Sequence, residues 1–134
     1  MADSFNQLSS KGKTTLISVV DDDPSVCRAL SRLVRSMGFH VETFASAEEF
    51  LEANQLTKAD CLVFDVHLSG ISGLELQQLL DARGINPPII FISADADLTE
   101  QQLIQANAVA YLPKPVEDAA LISAIQHAIA GRHN

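Results

Sequence analysis

The chain has 134 residues, 17 acidic against 9 basic, a formal net charge of -8, and 47% hydrophobic content with 19% charged residues. That length suits one domain whose core needs no disulfide or metal staple, and the apolar content excludes a disordered acidic chain. The acidic balance argues against nucleic-acid binding, which needs a Lys/Arg patch to displace counterions from phosphate. Cys27 and Cys61 sit in apolar stretches without zinc or redox spacing and read as reduced core residues. Neither a signal peptide nor an apolar run of membrane-span length is present. The expected location is therefore cytoplasmic, with residues 1–14 a flexible tail.

Two kinds of segment alternate along the rest. TLISVV at 15–20 reads as a first strand, its near-continuous apolar character that of a parallel strand buried on both faces. Asp23 and Pro24 then read as an N-cap and first helical residue. Val26, Leu30, Leu33, Val34 and Met37 come next at helical spacing, with Arg28, Arg32 and Arg35 turned outward, until Gly38 stops the helix. FHVETF (39–44) is a second strand, and Ser46 with Glu49 forms a capping box for a helix carrying Ala47, Phe50 and Leu51. CLVFD (61–65) is a third strand, and Ser72 with Glu75 opens a helix carrying Leu76, Leu79 and Leu80. PIIFIS (88–93) is a fourth strand, and Asp97 with Glu100 starts a fourth helix of weak apolar stripe, DLTEQQLIQANA. VAYL (109–112) is a fifth strand, and Leu121, Ile122, Ile125 and Ile129 mark a fifth helix ending before Gly131. Five strands, each followed by a helix, predict an α/β fold: a (βα)5 doubly wound parallel sheet with helices on both faces.

In open α/β sheets ligands bind beyond the carboxyl ends of the strands. After the first strand come Asp21, Asp22 and Asp23; the third strand ends at Asp65, the fourth at Ser93, and the fifth leads through Tyr111 to Lys114 and Pro115. Acids, a hydroxyl and an amine thus gather at one edge from distant parts of the sequence. Clustered carboxylates repel unless a cation joins them, and an all-oxygen set with open positions suits Mg²⁺. Asp65 can then act as a nucleophile, since carboxylates form aspartyl phosphates. Lys114 and Ser93 would supply charge and a hydrogen bond to the transferring phosphoryl oxygens.

The motifs VVDDDP, CLVFDVHLSGISG, IFISAD and YLPKP, in order and register over about residues 15–130, resemble the receiver domain of bacterial two-component response regulators, the CheY-like superfamily. LSGISGLEL and the short first loop look most like the FixJ-type receivers of nitrogen-fixation regulators. The resemblance implies a flavodoxin-like fold with strand order 2-1-3-4-5. It implies a signalling switch rather than an enzyme, a phosphoprotein that assists its own phosphorylation and dephosphorylation.

By similarity, Asp65 is the phospho-acceptor, taking its phosphoryl group from the phosphohistidine of a sensor histidine kinase or a phosphotransfer protein. Asp22 matches the direct Mg²⁺ ligand, Asp21 the acid acting through water, and the backbone carbonyl of His67 a further ligand. Asp23 fits a third acid, although its N-cap role suffices. Ser93 and Lys114 match the family's switching hydroxyl and its lysine, and Tyr111 the aromatic whose rotamer reports phosphorylation. Lys114–Pro115 resembles a bond that is cis in the family. His67 and Asp95 occupy positions whose side chains tune dephosphorylation; His40, His127 and His133 read as surface residues. The face made by the fourth helix, fifth strand and fifth helix is the one expected to change and to bind an output partner or a second copy as a homodimer.

Four departures stand out. Ser69 replaces a usual Pro, Pro113 precedes Lys114, Val116 stands where Phe is frequent, and Asn107 where Gly is common. They bear on switching amplitude and rate rather than on phosphorylation. The receiver is expected over 15–131 with no output domain in the sequence, as a stand-alone receiver or a fragment of a longer regulator. Three other readings compete. A degenerate receiver would act only as a docking module. A Mg²⁺-dependent aspartyl phosphatase would want a second Asp where His67 stands, and a flavodoxin-like nucleotide binder would meet the acidic DDDPS loop.

Overall fold

The computed structural model describes residues 15–53, 58–66, 71, 73–94 and 108–132. Within them lie β1 (Leu16–Val20), α1 (Pro24–Ser36), β2 (His40–Phe44), α2 (Ala47–Leu51), β3 (Cys61–Asp65), α3 (Gly73–Ala82), β4 (Ile89–Ser93), β5 (Ala110–Pro113) and α4 (Asp118–Arg132). The strands form one parallel sheet in the order β2-β1-β3-β4-β5. The fourth predicted helix, with Asp95, Asp97, Glu100 and Asn107, lies outside the described residues, as do His67, Ser69, Ser72 and His133. The helix labelled α4 is therefore the fifth predicted one.

Period-two alternation explains why β1, β3 and β4 read as unbroken apolar runs: both faces are covered. Ile17, Val19, Cys61, Val63, Ile90 and Ile92 point to one face, where Leu30 and Val34 of α1 and Leu121 and Ile125 of α4 close over them. Val20, Leu62, Phe64, Ile89 and Phe91 point to the other, against Phe50 of α2 and Leu76 and Leu80 of α3. The outer strands β2 and β5 are only half buried.

The helix starts carry out their sequence signals. Asp23 caps α1, accepting from the Ser25 N–H at 2.9 Å, with Pro24 as the first helical residue. Ser46 caps α2 by accepting from the Glu49 N–H at 3.1 Å, and Glu49 reaches back to the Ala45 N–H at 3.0 Å. Three details differ from expectation. Leu79 is 39% exposed, because Leu76 and Leu80 already cover the sheet and Leu79 falls outside their stripe. Pro113 ends β5, which an outer strand tolerates because its free edge needs no N–H. The last helix continues through Gly131 to Arg132: the left-handed glycines among the described residues are Gly38 (φ 88) and Gly84 (φ 73), and a glycine with helical φ does not stop a helix.

Candidate functional site at the carboxyl edge of the sheet

The register brings the carboxyl ends of β1, β3, β4 and β5 to one edge, and each delivers one expected residue. Asp21 follows β1 directly and is 1% exposed. Its N–H donates to the Phe44 carbonyl at 3.0 Å, and its Oδ1 accepts from the Asp23 N–H at 2.8 Å. Those two bonds fix the carboxylate and leave Oδ2 facing the site. Asp65 ends β3 at 5% exposure and Ser93 ends β4 fully buried. Lys114 follows β5, its N–H donating to the Ser93 carbonyl at 2.9 Å and its bond to Pro115 cis, as the resemblance implied.

The Lys114 ammonium bridges the acids, with Nζ 2.8 Å from Asp21 Oδ2 and 3.1 Å from Asp65 Oδ2. The first contact gives the buried Asp21 Oδ2 the ammonium as its partner. Asp22 is exposed beside them, and carboxylate oxygens of Asp21, Asp22 and Asp65 lie within 4.8 Å of one another.

Burial pushes the Asp21 carboxyl above its ordinary value, with the Asp65 charge adding to the rise and Lys114 and the Asp23 N–H opposing it. For Lys114, burial works against the charge, but its contacts with Asp21 and Asp65 outweigh burial and hold the ammonium above the usual lysine value. Lys114 therefore stays charged at neutral pH. A set of three carboxylates without nitrogen or sulfur donors, their oxygens within 4.8 Å of one another, fits a hard oxygen-seeking cation such as Mg²⁺.

Tyr111 lies half buried on β5, beside Phe91 in the register and against the second core cluster. Of the other expected residues, Asp23 serves as a cap, whereas His67 and Asp95 fall outside the described residues. Two contacts were not legible in the sequence. The Cys27 thiol donates to the Asp21 carbonyl at 3.2 Å, tying the acidic loop to α1, and burial and then the Asp21 charge push its pKa up. Asp60, 2% exposed, accepts from the Leu16 N–H at 3.0 Å and pins the start of β1. No local pattern marks either residue: the Cys27 contact forms where α1 lies against the loop after β1, and the Asp60 contact only when β1 is brought beside the start of β3. A groove of about 560 Å³ near Asp81, Pro88, Ile89 and His127 lies at the amino edge, away from the acids.

The model of the response regulator receiver domain family matches residues 17–126. Transcriptional regulatory protein TdiR of Thauera aromatica is 38% identical over 125 residues, covering 92% of this chain and 55% of its own length. Response regulator protein TodT of Pseudomonas putida is 40% identical over 118 residues, 87% of this chain and 52% of its own. The chain spans about half the length of these curated relatives. Among solved structures, response regulator StyR aligns with a TM-score of 0.82 at 41% identity, covering 90% of this chain and 62% of its own. The FixJ-N crystal structure aligns at 0.77 and 31% identity, covering 88% and 95%.

Proposed function

Because the chain belongs to the response regulator receiver domain family, we propose that it is a phosphorylation-controlled switch in which Asp65 accepts a phosphoryl group from a partner's phosphohistidine. The observation that carries this reading is the Lys114 ammonium held between Asp21 and Asp65 at the carboxyl edge of the sheet. It supports the reading because a carboxylate and a cation are in contact there, and the buried Ser93 ends the neighbouring strand at the same edge.

The Asp65 carboxylate attacks phosphorus in line, an O–P bond forms as the P–N bond to the donor imidazole breaks, and the imidazole leaves with the electron pair. Lys114 is already charged and shifts from the carboxylates to the phosphoryl oxygens; the Ser93 hydroxyl donates to another. Phosphoryl transfer asks mainly for this positioning and charge stabilisation. Asp22, Asp65 and, through water, Asp21 would hold Mg²⁺ together with the His67 carbonyl, and the bound ion would supply positive charge to the transferring oxygens. His67 and Asp95 side chains set the rate of hydrolysis. Phosphorylation replaces the single carboxylate charge of Asp65 by the about -1.5 to -2 of a phosphoryl group. Ser93 and Lys114 draw toward it, Tyr111 turns inward, and the face around β5 and α4 changes its affinity for an output domain, a partner or a second copy. A shift of a few kcal/mol between two existing states is enough.

The test is incubation with Mg²⁺ and acetyl phosphate followed by intact mass. One added phosphoryl group, absent from Asp65→Asn and from samples with a chelator, is the expected result. No addition to the wild-type protein would leave only a docking module.

A further inference from the structure

A groove of about 360 Å³ runs between α1 and the outer strand β2, lined by Cys27, Arg28, Ser31, Arg32, Arg35 and Thr43. Arg28, Ser31, Arg32 and Arg35 recur at helical spacing and so share the face of α1 that overlooks β2. The three arginines are exposed and form no ion pair among the described residues; Arg28 alone has a side-chain bond, to Ser25 Oγ at 3.4 Å. They are three of nine basic residues in a chain of net charge -8, and no carboxylate lines the groove. Ser31 differs from them. It is only 7% exposed, and its hydroxyl opens on the groove without a hydrogen-bond partner among the described residues. Buried polar groups are normally paired, so an unpaired hydroxyl among guanidiniums calls for an acceptor from outside the chain.

We propose that this groove binds a short chain of phosphoryl groups, the guanidiniums gripping its oxygens and the Ser31 and Thr43 hydroxyls donating to them. Arginine forks match pairs of phosphate oxygens. At about 1.5 Å rise per residue the stripe from Arg28 to Arg35 extends about 10 Å, which suits an elongated anion better than a single tetrahedral one. The volume falls at the lower end of the about 300–1,000 Å³ of small-molecule sites. No aromatic side chain lines the groove. A base would have no face to stack on, so recognition stops at the phosphates.

The net charge of the chain does not forbid this. At about 0.1 M salt, charges more than about 10 Å away are largely screened, so the local stripe outweighs acids elsewhere on the surface. Acids do stand at one end of the groove: the Asp21 and Asp23 charges reach Cys27 and help to push its thiol pKa up. They bias the anion toward Arg32 and Arg35 and away from Arg28, whose guanidinium Ser25 also holds. Neither Asp65 nor Lys114 lines the groove. The site is therefore separate from the phospho-acceptor and does not rest on that reading.

Calorimetric titration of the whole chain with tripolyphosphate tests it, in buffer freed of divalent ions so that the acids at the carboxyl edge take no part. The expected result is a single site that binds tripolyphosphate at least about tenfold more tightly than orthophosphate, and no less tightly than ATP. Arg32→Gln and Arg35→Gln should each weaken binding about tenfold, Arg28→Gln less, and Ser31→Ala about fivefold, through lost charge-assisted hydrogen bonds. Lys58→Gln, which removes an exposed charge outside the groove, should leave it unchanged. The arginines are exposed, so circular dichroism of their variants should match wild type. No binding at millimolar tripolyphosphate, equal affinity for orthophosphate, tighter binding of ATP or of a polyglutamate peptide, or arginine variants no weaker than Lys58→Gln would overturn the proposal.

Discussion

Replacing Lys114 with Met removes the bridging charge while keeping most of the apolar stem, leaving Asp21 and Asp65 to face each other without it. Breaking a fully buried pair costs about 3–5 kcal/mol. Lys114 keeps 20% of its side chain in water, so screening lowers the expected loss to about 2 kcal/mol at pH 7. For a chain of this size that corresponds to a fall in Tm of about 6–10 °C.

The pH dependence separates charge from packing. The folded-state pKa of Lys114 is raised, so its contribution is present below the ordinary value of 10.5 and is lost as pH climbs through the folded value. At the acid end, Asp21 already titrates above its ordinary 3.8, and loss of Lys114 removes an influence that lowers it. A carboxyl with a raised folded pKa costs stability once pH passes its ordinary value. The deficit of the variant should therefore be small near that value, grow as pH rises from it, and level off above the folded value. Calorimetry of both proteins without Mg²⁺ at acidic and neutral pH reads this directly. A deficit of equal size at both pH values, unaffected by added Mg²⁺, would show that Lys114 acts only by packing and refute the bridging role.

The same geometry sets further expectations. Asp21→Asn should raise the Tm of the metal-free protein at pH 7 and leave it unchanged well below pH 3.8, because it removes a buried charge that faces Asp65; a lower Tm at pH 7 would contradict this. The same variant should gain less stability from Mg²⁺ than wild type, measured as the shift in Tm at saturation. Asp60→Ala strips the acceptor from the buried Leu16 N–H and should cost about 1–3 kcal/mol in urea unfolding. A loss near zero would mean that water replaces the carboxylate.

The parallel sheet was legible in the sequence because β1, β3 and β4 are apolar on both faces and each ends at a polar residue or just before one. The acid, hydroxyl and lysine positions came with it, since a parallel sheet puts every strand's carboxyl end on the same edge. Helix starts were readable at Asp23 and Ser46, where one side chain caps a nearby N–H. Helix ends were less so. Gly131 resembles a stop, but only a left-handed φ makes it one, and that φ depends on where the chain turns; Gly84 takes that role behind α3 instead. Leu79 fits an apolar count but misses the stripe that Leu76 and Leu80 fill. The Lys114–Asp21 contact was hidden as well. It spans 93 positions in the chain and arises only when β5 has been carried past β3 and β4 to the edge.

The central claim is that Asp65, and neither Asp21 nor Asp22, carries the phosphoryl group. Borohydride reduction of the acetyl-phosphate-treated protein converts an aspartyl phosphate to homoserine, which tandem mass spectrometry places at one residue. Homoserine at position 65, absent without Mg²⁺, is the expected result. Homoserine at position 21 or 22, or at no position in a folded, Mg²⁺-saturated sample, would contradict the assignment.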